Sequence, residues 1–222
     1  MANAATQKKT VTPKKKSGQS QEDLTRKEEL IKTAVELFSE RGFNGTSIRD
    51  IARSQKISTA NMYHHFKNKE DLFFASLEYL TRMLPERLDE VWQESADPLE
   101  RFKLLLKVHL TVTRSYQKEA KIFLLDQDLV SKKHTVKLQQ IKKKVLDIYF
   151  RHVESLHEAG YVATPRTKIL AFNILAVINW YLRWYRPDGP LPGEAINDEV
   201  IAFILYGAIG QPGPAPSRRK PT

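Results

Sequence analysis

Between Ser58 and Phe66 the chain places three small or amide side chains, Thr59, Ala60 and Asn61, at the front of a short amphipathic stretch whose other side holds Met62 and Phe66. Such groups can read a duplex. A carboxamide pairs bidentately with adenine, and a threonine methyl or an alanine can touch the methyl group of thymine. Thr46, at the expected start of a helix, is a further candidate to hold a phosphate. His64 and His65 complete the exposed side, but adjacent helical positions point about 100° apart and cannot easily share a metal ion, so no metal site is expected. Hydrolytic chemistry has no counterpart in these residues. There is no His-Glu-x-x-His pair, no Gly-x-Ser-x-Gly elbow and no phosphate-binding glycine loop, so no catalytic residue is assigned.

For Thr59 to Asn61 to face outward, the elements around them must lock them in place. An apolar stripe of Leu30, Ile31, Ala34, Leu37 and Phe38 predicts a helix over 26–41, which Gly42 ends. Ile48, Ile51 and Ala52 predict a short helix over 47–54, capped by Thr46 or Ser47 with Asp50 near its positive end. Gln55, Lys56 and Ile57 form a tight turn. Ser58 then caps a helix to about Phe66, and Asn68 caps a fourth that continues through Leu84. Two short helices with the small Ala52 at their crossing and apolar contacts at Ile51 and Ile57 meet the requirements of a helix-turn-helix.

These residues resemble a known family. Thr46-Ser47-Ile48-Arg49-Asp50-Ile51-Ala52, Ile57-Ser58, Tyr63-His64-His65-Phe66 and Lys69-Glu70-Asp71-Leu72 are similar to the DNA-binding signature of TetR-family regulators, over roughly residues 25 to 75. The resemblance implies an all-α chain with an N-terminal helix-turn-helix domain over 23–69 and a C-terminal helical ligand-binding and dimerisation domain over 70–210. It implies a homodimeric repressor on double-stranded, palindromic operator DNA. Thr59, Ala60 and Asn61 would then reach base edges, and Tyr63 and Lys69 would hold phosphates, with Thr46, Ser58, His64 and Lys67 completing the DNA-binding set. Tyr63 could instead pack between its helix and the next. Lys56 departs from the family, which usually has glycine in the turn. If the backbone there is left-handed, a lysine costs about 1 to 2 kcal/mol. Lys56 is either a phosphate ligand or a plain surface residue.

Beyond residue 70, further helices are expected over 98–116, 122–129, 133–159, 165–182 and 194–208, and no strand pattern is visible. Ile169 to Leu182 is apolar except for Asn173 and Asn179, but about 20 such residues are needed to span a bilayer, so a helix buried on several sides is expected and no membrane partner. The segment Asn179-Trp180-Tyr181-Leu182-Arg183-Trp184-Tyr185-Arg186-Pro187-Asp188-Gly189-Pro190-Leu191 is similar to a FadR-like TetR subgroup released by acyl-CoA thioesters. That similarity implies no resident cofactor but a small-molecule effector, an acyl-CoA or related thioester. Tyr116, Phe123, Asn179, Trp180, Arg183 and Trp184 are its candidate contacts, with cations such as Arg183 or Arg186 near the phosphates. The same segment could instead be a helix terminus used in dimer packing.

A net charge of +10 and a pI near 9.6 favour an anionic partner. Lys8, Lys9, Lys14, Lys15 and Lys16 put +5, half of that charge, ahead of Glu22; residues 1–22 are expected to be a disordered basic tail, as are the Pro-rich residues 211–222. The absence of cysteine and of a signal-like apolar run suits the cytoplasm. Two other function classes fit more weakly: a small helical enzyme acting on lipids or CoA esters, and a nonspecific nucleic-acid-binding protein.

Overall fold

The computed structural model describes residues 17–125 and 132–210, with side chains over 22–124 and 135–210; both expected tails lie largely or wholly outside it. Nine α-helices follow in order among these residues, with no strand. They are α1 Ser17–Arg41, α2 Ile48–Ser54, α3 Thr59–His65, α4 Lys69–Glu90, α5 Pro98–Ser115, α6 Gln117–Leu125, α7 Lys132–Glu158, α8 Thr167–Trp184 and α9 Gly193–Ile209. A 3₁₀ turn, Val91–Gln93, extends α4.

The short helices α2 and α3 stand because their ends are satisfied. Ser47 and Asp50 form a reciprocal capping box, Ser47 Oγ accepting from Asp50 N–H and the Asp50 carboxylate accepting from Ser47 N–H. The Ser47 hydroxyl also donates to that carboxylate, and this bond first, then the one from Ser47 N–H, holds the Asp50 carboxyl below its ordinary range. Ser58 caps α3 by accepting from Asn61 N–H at 3.1 Å. At the end of α2, Ile57 N–H donates to Ala52 C=O and Lys56 N–H to Arg53 C=O, the paired bonds of a Schellman motif. This motif needs a left-handed residue, and Lys56 supplies it with φ 54°. Lys56→Gly should therefore raise stability by about 1 kcal/mol. Chemical denaturation measures this, and an unchanged midpoint would show the lysine to be unstrained.

The head core joins α1 to α4. Phe38, Phe43 and Phe73 form an aromatic cluster with centroids 5.0 to 5.9 Å apart, and Leu30, Ile51, Met62, Leu72 and Leu77 fill the space around it. Residues of α4 thus complete the head, so its core does not stop at residue 69. The first helix starts at Ser17, ahead of the expected Arg26. Within this extension Asp23 sits 3.5 Å from His65, and one turn on Lys27 lies over the Phe66 ring, so this end of α1 braces α3.

In the body, α4, α5, α7, α8 and α9 enclose a second core around Phe102, Leu106, Tyr149, Val153, Ile178 and Tyr181. At one end of this core Trp92 is held between two guanidinium groups, Arg101 at 4.2 Å and Arg151 at 4.3 Å from its ring centroid. Arg101 also donates to Ser155, and Arg151 to Asp89 at 2.7 Å, which joins α4, α5 and α7 there. Nearby, Thr167 of α8 donates to Glu154 of α7 at 2.7 Å. No helix among the described residues is long and apolar enough to cross a membrane.

Among the body helices, expected and observed bounds differ chiefly at α6. It begins at Gln117, five residues before the expected start, because Tyr116 ends α5 and the chain turns at once into the next helix. Its expected end at Leu129 lies outside the described residues.

Candidate nucleic-acid interface and effector cavity

The second helix of the helix-turn-helix presents its polar side outward. Ala60, Asn61, Tyr63 and His64 are exposed and Thr59 half-buried, while Met62 and Phe66 point into the head core. This is the division predicted from spacing alone, because residues 62 and 66 are one turn apart on the inner face. Tyr63 is 55% exposed and does not pack between helices. Ser58 and Lys67 flank the helix on the same surface, both exposed.

Two expected phosphate ligands are placed differently from the sequence reading. Thr46 is only 1% exposed, and its hydroxyl donates to Leu37 C=O and Gly42 C=O. It fastens the α1–α2 turn and cannot present its side chain to DNA; sequence could not reveal this, since a threonine at a helix start serves either role. Lys69 is half-buried, donates to Phe43 C=O at 2.9 Å and lies 4.0 Å over the Phe43 ring. Its ammonium is therefore fixed at the mouth of the head with two of its three protons still unassigned. His65 is also not the solvated residue that its neighbour is: its side chain is 5% exposed.

The body contains a cavity of about 940 Å³. Its walls come from Leu80 to Pro85 on α4, His109 and Thr113 on α5, Ala120 to Leu124 on α6, α7 around Val145, and α8 from Phe172 to Arg183. Four expected effector contacts are brought together here: Phe123, Asn179, Trp180 and Arg183. Two are not. Tyr116 stacks against Tyr79, ring centroids 5.2 Å apart, and lines a separate recess of about 510 Å³ between α1, α4 and α6. Trp184 packs edge-on against Tyr181 and is absent from the cavity wall. Trp184 lies one turn beyond Trp180, at the last residue of α8.

Lys142, Lys143 and Arg183 supply positive charge on the wall, and the rest is predominantly apolar. Sequence reasoning missed His109. It is buried, contacts Tyr149 Oη through Nδ1 at 2.8 Å, and burial pushes its pKa down to about 4. The available signal was a histidine and a threonine spaced four apart, His109 and Thr113, on the apolar face of α5. No cluster of metal-ligating side chains occurs among the described residues.

Residues 30–76 match the family model of bacterial regulatory proteins of the tetR type, and residues 95–208 match that of the tetracyclin repressor-like C-terminal domain. The chain belongs to the TetR family. Its relatives include the transcriptional repressor KstR2 of Mycobacterium tuberculosis H37Rv, 27% identical over 185 residues that span 82% of this chain and 92% of KstR2. The solved structure of that ketosteroid transcriptional regulator superposes with a TM-score of 0.77 at 26% identity, covering 84% of this chain and 96% of the other. AibR, solved in complex with isovaleryl coenzyme A and operator DNA, gives a TM-score of 0.73 at 28% identity over 81% of this chain and 98% of AibR. The protein is thus a TetR-type transcriptional regulator, with the all-α fold and the helix-turn-helix expected from its sequence.

Proposed function

We propose that this TetR-family protein is a dimeric repressor that binds a palindromic operator and is released when an acyl-CoA thioester enters the body cavity. The observation that carries the reading is the mixed character of that cavity, an apolar chamber with Lys142, Lys143 and Arg183 on its wall. Such a chamber suits a ligand with an apolar acyl end and an anionic phosphate end. The complex of AibR with isovaleryl coenzyme A and operator DNA supports the same ligand class.

On the DNA, Thr59, Ala60 and Asn61 are the base-reading residues and Tyr63, Lys67 and Lys69 the phosphate contacts, with Ser58 and His64 at the margin. Thr46 leaves this set as a side-chain ligand. Dimerisation uses α8 and α9. On a single chain Phe203 and Tyr206 are each 65% exposed and Ile169 56%, an apolar area that a lone chain would expose to water. Two heads related by a twofold would read half-sites about 34 to 36 Å apart.

Coupling runs through α4. Its first residue, Lys69, belongs to the DNA-facing junction, and its Leu80, Thr81, Leu84 and Pro85 form a wall of the cavity. Lys118 of α6 also pairs with Glu36 of α1. A ligand that prefers a different disposition of these helices by a few kcal/mol suffices to shift the equilibrium.

The test begins with duplexes selected from a random library by the purified protein. A symmetric site should emerge and hold the protein at least 10³-fold more tightly than random DNA at physiological salt. Isovaleryl-CoA or octanoyl-CoA should weaken that complex by two orders of magnitude or more. Displacement by random DNA as efficient as by the selected site would sink specific repression, and indifference to every acyl-CoA would sink the effector class.

A further inference from the structure

Apart from the exposed carboxamides of Gln139 and Asn179, the neutral polar groups on the cavity wall are two hydroxyls and a histidine, and the hydroxyls are already engaged. Thr81 donates to Leu77 C=O at 2.9 Å and Thr113 to His109 C=O at 2.7 Å, so both hydroxyl protons are spent on their own helices. His109 is different. Its Nδ1 meets Tyr149 Oη at 2.8 Å, no other hydrogen bond to its ring is found among the described residues, and the residue is buried. It lines the cavity.

The proton on this imidazole can be placed by counting partners. Tyr149 is fully buried and has no hydrogen-bond partner other than His109 among the described residues. If Nδ1–H donated to the phenol oxygen, the phenolic proton would be left without an acceptor in apolar surroundings. If the phenol donates to Nδ1, both groups are satisfied, and the ring hydrogen must sit on Nε2. Burial keeps the ring neutral, its pKa lying near 4, so at neutral pH it offers one N–H and no charge.

We propose that the effector carries a neutral carbonyl oxygen within its apolar part, that His109 Nε2–H donates to it, and that Tyr149 is a positioning residue holding the imidazole in the donating tautomer. A plain hydrocarbon in the same place would leave the N–H buried and unpaired, which is how a site discriminates against an analogue lacking one polar atom. A carboxylate at this depth would lose its hydration for a single neutral donor and is disfavoured. The inference rests on the cavity being the effector site, but not on the effector being a CoA thioester.

The test uses a matched pair of small probes, 4-phenylbutan-2-one and butylbenzene, whose dissociation constants are measured for the wild type and for His109→Leu/Tyr149→Phe. Removing both polar partners together leaves neither orphaned. The preference for the ketone over the hydrocarbon should fall about tenfold in the double variant, and comparing the two proteins cancels the probes' different solubilities. Tyr149→Phe alone should lose part of the preference. Independently of any variant, ¹⁵N imidazole shifts of the wild type should show His109 protonated at Nε2 alone, and Tyr149→Phe should mix the tautomers. An equal preference in wild type and double variant, or a wild-type ring protonated at Nδ1, would overturn the proposal. If the ketone preference behaves as stated while no acyl-CoA releases operator, the effector class is wrong and the role of His109 stands. If acyl-CoA releases operator and the ketone preference does not change, the reverse holds.

Discussion

A chain carrying Phe203→Asp and Tyr206→Asp will sediment as a monomer and lose at least three orders of magnitude in affinity for a selected symmetric site. Both side chains lie on α9, are largely exposed in the single chain and touch neither the cavity nor the helix-turn-helix. Two carboxylates there would each have to be desolvated to re-form an apolar contact between copies. Losing the twofold turns one event on two half-sites into two separate events, and the advantage of tethering, commonly 10²- to 10⁴-fold, disappears. Analytical ultracentrifugation and fluorescence anisotropy on the same samples give both numbers. A double variant that remains dimeric would place the interface elsewhere, and one that is monomeric yet binds unweakened would show that a single head suffices.

The second large effect concerns sequence choice. Asn61→Ala removes the one carboxamide at the front of α3 without touching the core, because Asn61 is exposed and only its backbone N–H is engaged, by Ser58 Oγ. If the side chain pairs bidentately with adenine, each half-site should lose about 1 to 3 kcal/mol of discrimination. A dimer would lose that twice, while binding to random DNA and its salt dependence should stay nearly constant. Lys67→Ala should do the opposite, weakening all duplexes alike and reducing the salt slope. Lys69 is a poorer probe of phosphate contact than the sequence implied, since its ammonium also holds Phe43 C=O and so supports the head itself. Selection of sites by both variants separates the two roles; an Asn61→Ala protein that keeps the wild-type preference would remove this residue from base reading.

The helix-turn-helix was legible in the sequence because its signals are local. The cap at Thr46 or Ser47 with Asp50 near the helix start, Ser58 before Thr59, and the inward pair Met62 and Phe66 each depend on neighbours within one turn; the last two appear in the structure as read, and the first resolves to Ser47. What depended on distant partners was not legible. The buried hydroxyl of Thr46 is explained by carbonyls at Leu37 and Gly42, which no cap rule supplies. His109 became a cavity group only because Tyr149, forty residues on, meets its other nitrogen. Helix α8 read as buried on several sides, but only the fold shows that Ile178, Tyr181 and Leu182 are buried while Ile169, Phe172 and Trp180 are largely exposed on the single chain. The apolar aromatics Tyr116 and Trp184 fit a chamber by type, and were excluded from it by where α5 and α8 end.

The Arg101–Trp92–Arg151 stack and the Thr167–Glu154 bond lie beyond one end of the cavity, and α5, α7 and α8 run from there along its walls. Helix α5 is pinned near Arg101 and borders the cavity at His109 and Thr113; α7 is pinned at Arg151 and Ser155 and borders it near Val145; α8 is tied through Thr167 and borders it from Phe172 onward. Rods fastened at one end open like tongs. Room for a bulkier occupant would then have to come from the ends away from this anchor, where Gln117 Nε2 donates to Tyr185 C=O and ties α6 to α8.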